Sequence, residues 1–152
     1  MPNDSTHPSQ PGLTTSETIE TLLQRRSIRK YSDAPVTDAQ VDAILQAAFR
    51  APTSSNIQSY TVITVRDPET KQKLSVPAGN QKHIVDCPVF LAFCADLTRL
   101  EHVLQERGHT LEDNNLEIGL VSSIDASLVG MSAYLAADSL GIKGVMIGAV
   151  RN

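Results

Sequence analysis

Positive charge is in short supply: thirteen lysines and arginines stand against seventeen aspartates and glutamates in 152 residues, a net charge of -4. That balance gives no electrostatic footprint for nucleic acid or an anionic membrane, so any anion site has to be a local gathering of cations. Cysteine is nearly absent. Cys87 and Cys94 lie in or beside apolar stretches, with no CxxC spacing and no neighbouring histidine cluster. They read as buried free thiols in a reducing compartment and not as a disulfide framework. The four histidines lack metal-ligand spacing, so no metal site is expected. No Ser-His-Asp order or activated cysteine can be assembled, and neither a P-loop nor a GxGxxG run is present. Residues 1–13 are polar, rich in Pro, Ser and Asn, and read as a disordered leader rather than a signal peptide or membrane span; a cytoplasmic location follows by elimination.

What is present, 41% apolar residues, suffices for one continuous core, and residues 14–152 are expected to form a single domain. Thr14 and Glu17 have capping-box spacing, with Ile19, Leu22 and Leu23 following at helical intervals, which predicts a first helix running to about residue 26. A loop or short extended piece follows over 27–35. Thr37 and Gln40 repeat the box ahead of Val41, Ile44, Leu45 and Ala48, one apolar face of a second helix that ends before Pro52. The β-branched run at 60–65 predicts the clearest strand, making the polar run 53–59 a helix-to-strand loop. Short helices are predicted over 68–74 and, after a turn at Gly79, up to residue 85. A buried strand is predicted over 88–95, an amphipathic helix over 97–108 and a polar, mobile run over 108–115. From 116 to 140 apolar residues recur at steps of three or four, interleaved with small ones. This predicts a long helix packed on more than one side and stopped by Gly141, with a last strand at 145–147. The fold class is α+β, a central, mostly antiparallel sheet built from strands near 60, 89 and 145 and flanked by helices.

Three clusters carry possible chemistry, and each has a plainer reading. Arg25-Arg26-Ser27-Ile28-Arg29-Lys30 concentrates cations at a helix end, where they complement the helix dipole; alternatively its guanidinium forks and hydroxyl form a phosphate site. Pro52-Thr53-Ser54-Ser55-Asn56-Ile57-Gln58 is either an ordinary turn or a set of short donors and acceptors for the edge of a flat heterocycle. Gly144-Val145-Met146-Ile147-Gly148 ends a strand in a small residue, which marks a turn or a close backbone approach to a ligand.

In this order the clusters resemble the FMN signature of the nitroreductase family, which includes the NAD(P)H:flavin oxidoreductases. The third match extends back through Ser139-Leu140-Gly141. Gly79-Asn80-Gln81-Lys82-His83 and the closing Gly148-Ala149-Val150-Arg151-Asn152 resemble its NADPH-preferring branch. The resemblance implies a nitroreductase-like fold in which Arg25, Arg26, Ser27 and Arg29 hold the FMN phosphate, ribityl or ring carbonyl edge. Pro52, Thr53, Ser54 and Asn56 would flank the isoalloxazine and ribityl groups, Gln81 the ring edge, and Ile147, Gly148 and Ala149 its reactive face. It further implies no catalytic side chain, because the flavin carries the hydride chemistry. NAD(P)H would be the electron donor, with nitroaromatics, quinones or flavins as small-molecule acceptors, and the chain would form a homodimer with the long helix at its interface. Ala149 stands where that branch has a glycine, Thr53 where it has a serine, and Met146 where an aromatic is frequent. Family chains also continue into a further carboxyl-terminal segment, so the chain is expected to be truncated there. Two other readings are a truncated, weakly flavin-binding or subunit-pairing protein, and a non-enzymatic domain whose basic run is a solvated helix end.

Overall fold

Helices begin where a side chain can satisfy the first free amides of a turn. The computed structural model describes residues 14–111 and 116–148; the predicted leader, Ala149 and part of the polar run 108–115 lie outside the described residues. Helix α1 (Glu17–Gln24) starts on Ser16, whose hydroxyl accepts from the Ile19 amide at 3.3 Å. Thr14, predicted in that role, stands two residues too early, because Glu17 is itself the first helical residue. The Thr37 box forms as read: its hydroxyl accepts from the Gln40 amide at 3.2 Å while Gln40 Oε1 accepts from the Thr37 amide at 2.9 Å, opening α2 (Asp38–Ala48).

Strands β1 (Tyr60–Val65) and β2 (Phe90–Ala95) pair antiparallel, with Tyr60 opposite Ala95 and Val65 opposite Phe90. Between them run α3 (Pro68–Ser75) and α4 (Lys82–Asp86), and after them α5 (Thr98–Glu106) and α6 (Leu116–Ser139). Among the described residues the sheet has these two strands alone. The third strand expected at 145–147 is not formed. A strand exists only through a partner, and among the described residues none pairs with this segment; the Gly144 carbonyl just before it accepts from the Ile28 amide at 2.8 Å and from the Tyr134 hydroxyl at 3.0 Å. For the same reason β2, expected to be buried, is only half-buried over most of its length, and its edge away from β1 is unpaired among the described residues.

The core lies where α2 and α6 meet over the sheet. Ile44 and Ala48 pack on Val129 and Ala133, with Tyr60, Val62, Leu91 and Phe93 against them. At Gly130 α6 comes close to β2, with the Phe93 ring 3.4 Å from where a Cβ would stand, the near limit of ordinary contact. Gly141, at φ +77°, stops α6 in the left-handed turn that side chains resist, and the Ile142 amide returns to the Ala137 carbonyl at 2.9 Å. The long helix is packed on more than one side toward its carboxyl end, where residues 132–138 are all buried or half-buried and α1 lies against it as well as α2 and the sheet; earlier along it Leu116, Leu120, Ile124, Leu128 and Met131 form an exposed stripe. Length and composition alone would let α6 cross a membrane, but it carries two buried carboxylates, Asp125 and Asp138. Both cysteines are free thiols, but only Cys87 is buried as expected, Cys94 being half-buried; burial pushes the Cys87 thiol up, opposed by the nearby Lys71 ammonium.

At the end of β2, the Asp96 carboxylate accepts from the Thr61 hydroxyl and, at 2.9 Å, from the Thr98 amide. These bonds to the charged form hold its pKa at about 2 rather than 3.8. A lowered folded-state value stabilises the fold above pH 3.8, and that contribution fades as the pH falls through the folded value. In Thr61→Val the Asp96 titration, followed by carboxyl carbon NMR, is expected to move up toward 3.8; an unchanged midpoint would show that the hydroxyl is not the cause.

Candidate functional site

The basic run does not serve the dipole of α1. The last turn of that helix contains no basic residue, and Arg25, its cap, already has φ -56° and ψ 130°, so the cations continue along non-helical chain. Arg25 is half-buried, its guanidinium 5.5 Å above the Tyr134 ring, a placement that typically stabilises by ~0.5–1 kcal/mol. Arg26, Ser27, Arg29 and Lys30 are exposed. Among the described residues no carboxylate pairs with any of the four cations. A like-charged cluster left unpaired in an acidic chain is a seat for an anion.

This segment is clasped to the third cluster. The Tyr134 hydroxyl lies 2.9 Å from the Arg26 carbonyl and 3.0 Å from that of Gly144, while the Ile28 amide donates to the same Gly144 carbonyl at 2.8 Å. A Cβ on Gly144 would meet the Tyr134 ring at 4.0 Å, and one on Gly148 would meet nothing within 4 Å; the Gly148 backbone is therefore open to a ligand. Beside the clasp runs a largely apolar groove of about 900 Å³, lined by β2, the 142–147 segment, Ile28, Lys30 and Tyr31. Burial raises the Tyr31 phenol above its ordinary range, which keeps it a neutral donor at neutral pH.

The second cluster is held by a different anchor. Asp125 is 1% exposed; its Oδ1 accepts from the Ser54 amide at 3.0 Å and its Oδ2 from the Ser59 amide at 3.3 Å and the Ser59 hydroxyl at 2.9 Å. Burying an ion costs several kcal/mol unless its lone pairs are satisfied, and here one loop satisfies both oxygens. Between the two anchored amides Ser55, Asn56 and Gln58 have φ 49°, 55° and 56°, left-handed values that side chains hold only when the surroundings impose them. Thr53 is half-buried, while Pro52, Ser54 and Asn56 are exposed.

The structure thus brings Arg25, Arg26 and Ile28 to Tyr134 and Gly144, and holds the loop that contains Thr53, Ser54 and Asn56 at Asp125 instead. Asp125 and Tyr134 are nine residues apart on α6, about half a turn around the helix and ~14 Å along it, so the loop and the clasp occupy opposite flanks. Gln81 turns its amide back to the Ala78 carbonyl at 2.7 Å, although its neighbours His83 and Ile84 line the groove. No metal-competent group of three exists among the described residues. Sequence reading missed both anchors. Their signals were visible: a carboxylate on the apolar face of a core helix, and the one aromatic residue in α6.

The model of the nitroreductase family matches residues 22–152. The chain is 41% identical over 139 residues to an FMN reductase (NADPH) of Bacillus subtilis, covering 90% of this chain and 56% of that protein. It is 46% identical over 138 residues to an FMN reductase [NAD(P)H] of the same organism, covering 90% and 55%. It superposes on the solved structure of NfrA1 from Bacillus megaterium with a TM-score of 0.86 at 40% identity, over 90% of this chain and 56% of that one. The chain therefore spans about half the length of the relatives it matches, and within that span its α+β arrangement is theirs. With the family model matching residues 22–152 and relatives at 41% and 46% identity over 90% of its length, this chain belongs to the nitroreductase family.

Proposed function

We propose that the chain is an FMN-dependent NAD(P)H oxidoreductase of the nitroreductase and flavin reductase type. The observation that carries this is the unpaired cluster of Arg25, Arg26, Arg29 and Lys30 on a segment clasped to Gly144 and Tyr134, four residues before the exposed Gly148. The donor set fits a phosphorylated flat ring: guanidinium forks match phosphate oxygens, and a glycine without crowding lets main-chain amides meet a ring face. When bound, FMN supplies the redox chemistry, taking a hydride from NAD(P)H and passing electrons to a nitroaromatic, quinone or flavin. The protein's part is to bind and orient. Arg25, Arg26 and Arg29 would neutralise the phosphate and, with Ser27, meet the ribityl or carbonyl edge, Ile147 and Gly148 would border the reactive face, and Gln81 the ring edge. No side chain is assigned as acid or base.

Pro52, Thr53, Ser54 and Asn56 complete the site from a second copy. In one chain they stand on the flank of α6 away from the clasp, and between the two flanks runs the exposed stripe of Leu116, Leu120, Ile124, Leu128 and Met131. Burying such side chains gains ~1.5–3 kcal/mol each, so a homodimer formed along α6 removes that exposure and sets one copy's loop beside the other's basic segment. The net charge of -4 favours neither nucleic acid nor an anionic membrane as partner, and we place the protein in the cytoplasm.

With FMN added, the purified chain is expected to oxidise NADPH steadily in the presence of menadione or nitrofurazone. Arg29→Ala is expected to weaken FMN binding about tenfold, the size of a lost charge-assisted bond, and Tyr134→Phe to weaken it through loosening of the clasp. Absence of any flavin binding by the parent chain refutes the reading. Ile124→Asp is expected to convert a dimer into monomers in size-exclusion chromatography with light scattering; a parent chain that is monomeric at micromolar concentration contradicts the pairing.

A further inference from the structure

We infer that Asp125 is a positioning residue for the cofactor: from inside α6 it fixes the register and the left-handed backbone of the 53–59 loop, and so decides how Thr53, Ser54 and Asn56 are presented. This rests on the flavin reading of that loop.

The argument begins with what the carboxylate touches. All three of its hydrogen bonds come from one loop, at Ser54 near its start and Ser59 at its end. No cation pairs with it among the described residues, so its placement is set by neutral donors whose directions are those of the loop backbone. An apolar side chain here would let the loop lie on the helix in several registers; an acceptor-only group at both ends allows one. Inside the clamp are the positive φ values of Ser55 and Asn56 and, just before Ser59, that of Gln58. The loop's own bonds are short-range: the Ile57 amide to the Ser54 carbonyl at 2.9 Å, the Tyr60 amide to the Gln58 carbonyl at 2.8 Å, and Gln58 Nε2 to Asn56 Oδ1 at 3.3 Å. They shape the turn without locating it. Location comes from Asp125 on one side and, on the other, from the Asp96 amide donating to the Ser59 carbonyl at 3.1 Å and Arg99 donating to the Gln58 carbonyl at 2.6 Å. Those latter contacts hold only the loop's exit. The Ser54 end, which carries the groups proposed to meet the ring, is located by Asp125.

Asp125→Asn keeps the volume but turns an amide donor toward donors, Ser59→Ala removes only the hydroxyl bond, and Val129→Ala opens a core cavity on the same helix at a side chain that makes no hydrogen bond to the loop. Amide hydrogen exchange and FMN fluorescence titration are measured on all three and on the parent chain. The expected result is faster exchange at the Ser54 and Ser59 amides and an FMN Kd raised about tenfold or more in Asp125→Asn, with a smaller rise in Ser59→Ala. Val129→Ala, although less stable in urea, is expected to keep the parent's exchange at those amides and the parent's Kd. Parental FMN affinity in Asp125→Asn and Ser59→Ala overturns the positioning role, as does an equal loss in Val129→Ala, which would make the effect one of general stability. If Asp125→Asn does not fold, Ser59→Ala against Val129→Ala decides. A parent chain that binds no FMN overturns the flavin reading itself, an outcome separate from a parent that binds FMN and variants that bind it equally well.

Discussion

The carbonyl of Gly144 accepts two hydrogen bonds, one from the Ile28 amide and one from the Tyr134 hydroxyl, and the geometry of the basic segment depends on that shared acceptor. Without it, Arg25 to Lys30 would be a solvated run after a helix, free to spread its charge. With it, the segment lies along the end of α6 at the place where a glycine-bounded stretch offers bare backbone. Each bond is worth only ~0.5–1.5 kcal/mol net. Their effect is geometric rather than energetic: they set where four cations sit, and an anion binding there meets a cluster already gathered.

The long helix is the frame for this arrangement. Its core face buries Val129 and Ala133 against α2 and the sheet, which fixes its rotation; that rotation in turn places Asp125 on one flank, Tyr134 on the other and an apolar stripe behind. Two polar side chains on one rigid element thereby hold two distant loops in register, and elements are better platforms for a site than loops are. The buried carboxylate is costly to desolvate, and three hydrogen bonds offset that cost only while the 53–59 loop keeps its left-handed turn. Folding of the helix and shaping of the loop are thus coupled.

Much of this was legible in the residues. The Thr37 box, β1, β2, α6 and its stop at Gly141 follow from capping chemistry, β-branched density and periodicity, all of which are local. What was not legible depends on partners far away in the chain. The segment 145–147 has strand composition, yet no ladder forms among the described residues, and the Gly144 carbonyl just before it is taken by Ile28 and Tyr134. Ser16 displaces Thr14 as the cap because the helix begins at Glu17, which puts the Ser16 hydroxyl in reach of the Ile19 amide. The three motifs were readable as a set, but not that α6 separates them onto two flanks, since that follows from the rotation of one helix. Asp125 and Tyr134 were passed over because each looks ordinary until its partners are known.

The central claim is that the clasped basic segment binds a phosphate on a flat ring. It is tested most directly by comparing the affinity of the chain for FMN and for riboflavin, which has the same ring and ribityl chain without the phosphate, over a range of salt concentrations. FMN should bind at least about tenfold more tightly, with the gap narrowing as salt screens the guanidinium groups. Equal affinities at low salt would mean that Arg25, Arg26 and Arg29 meet no phosphate, and would contradict the account.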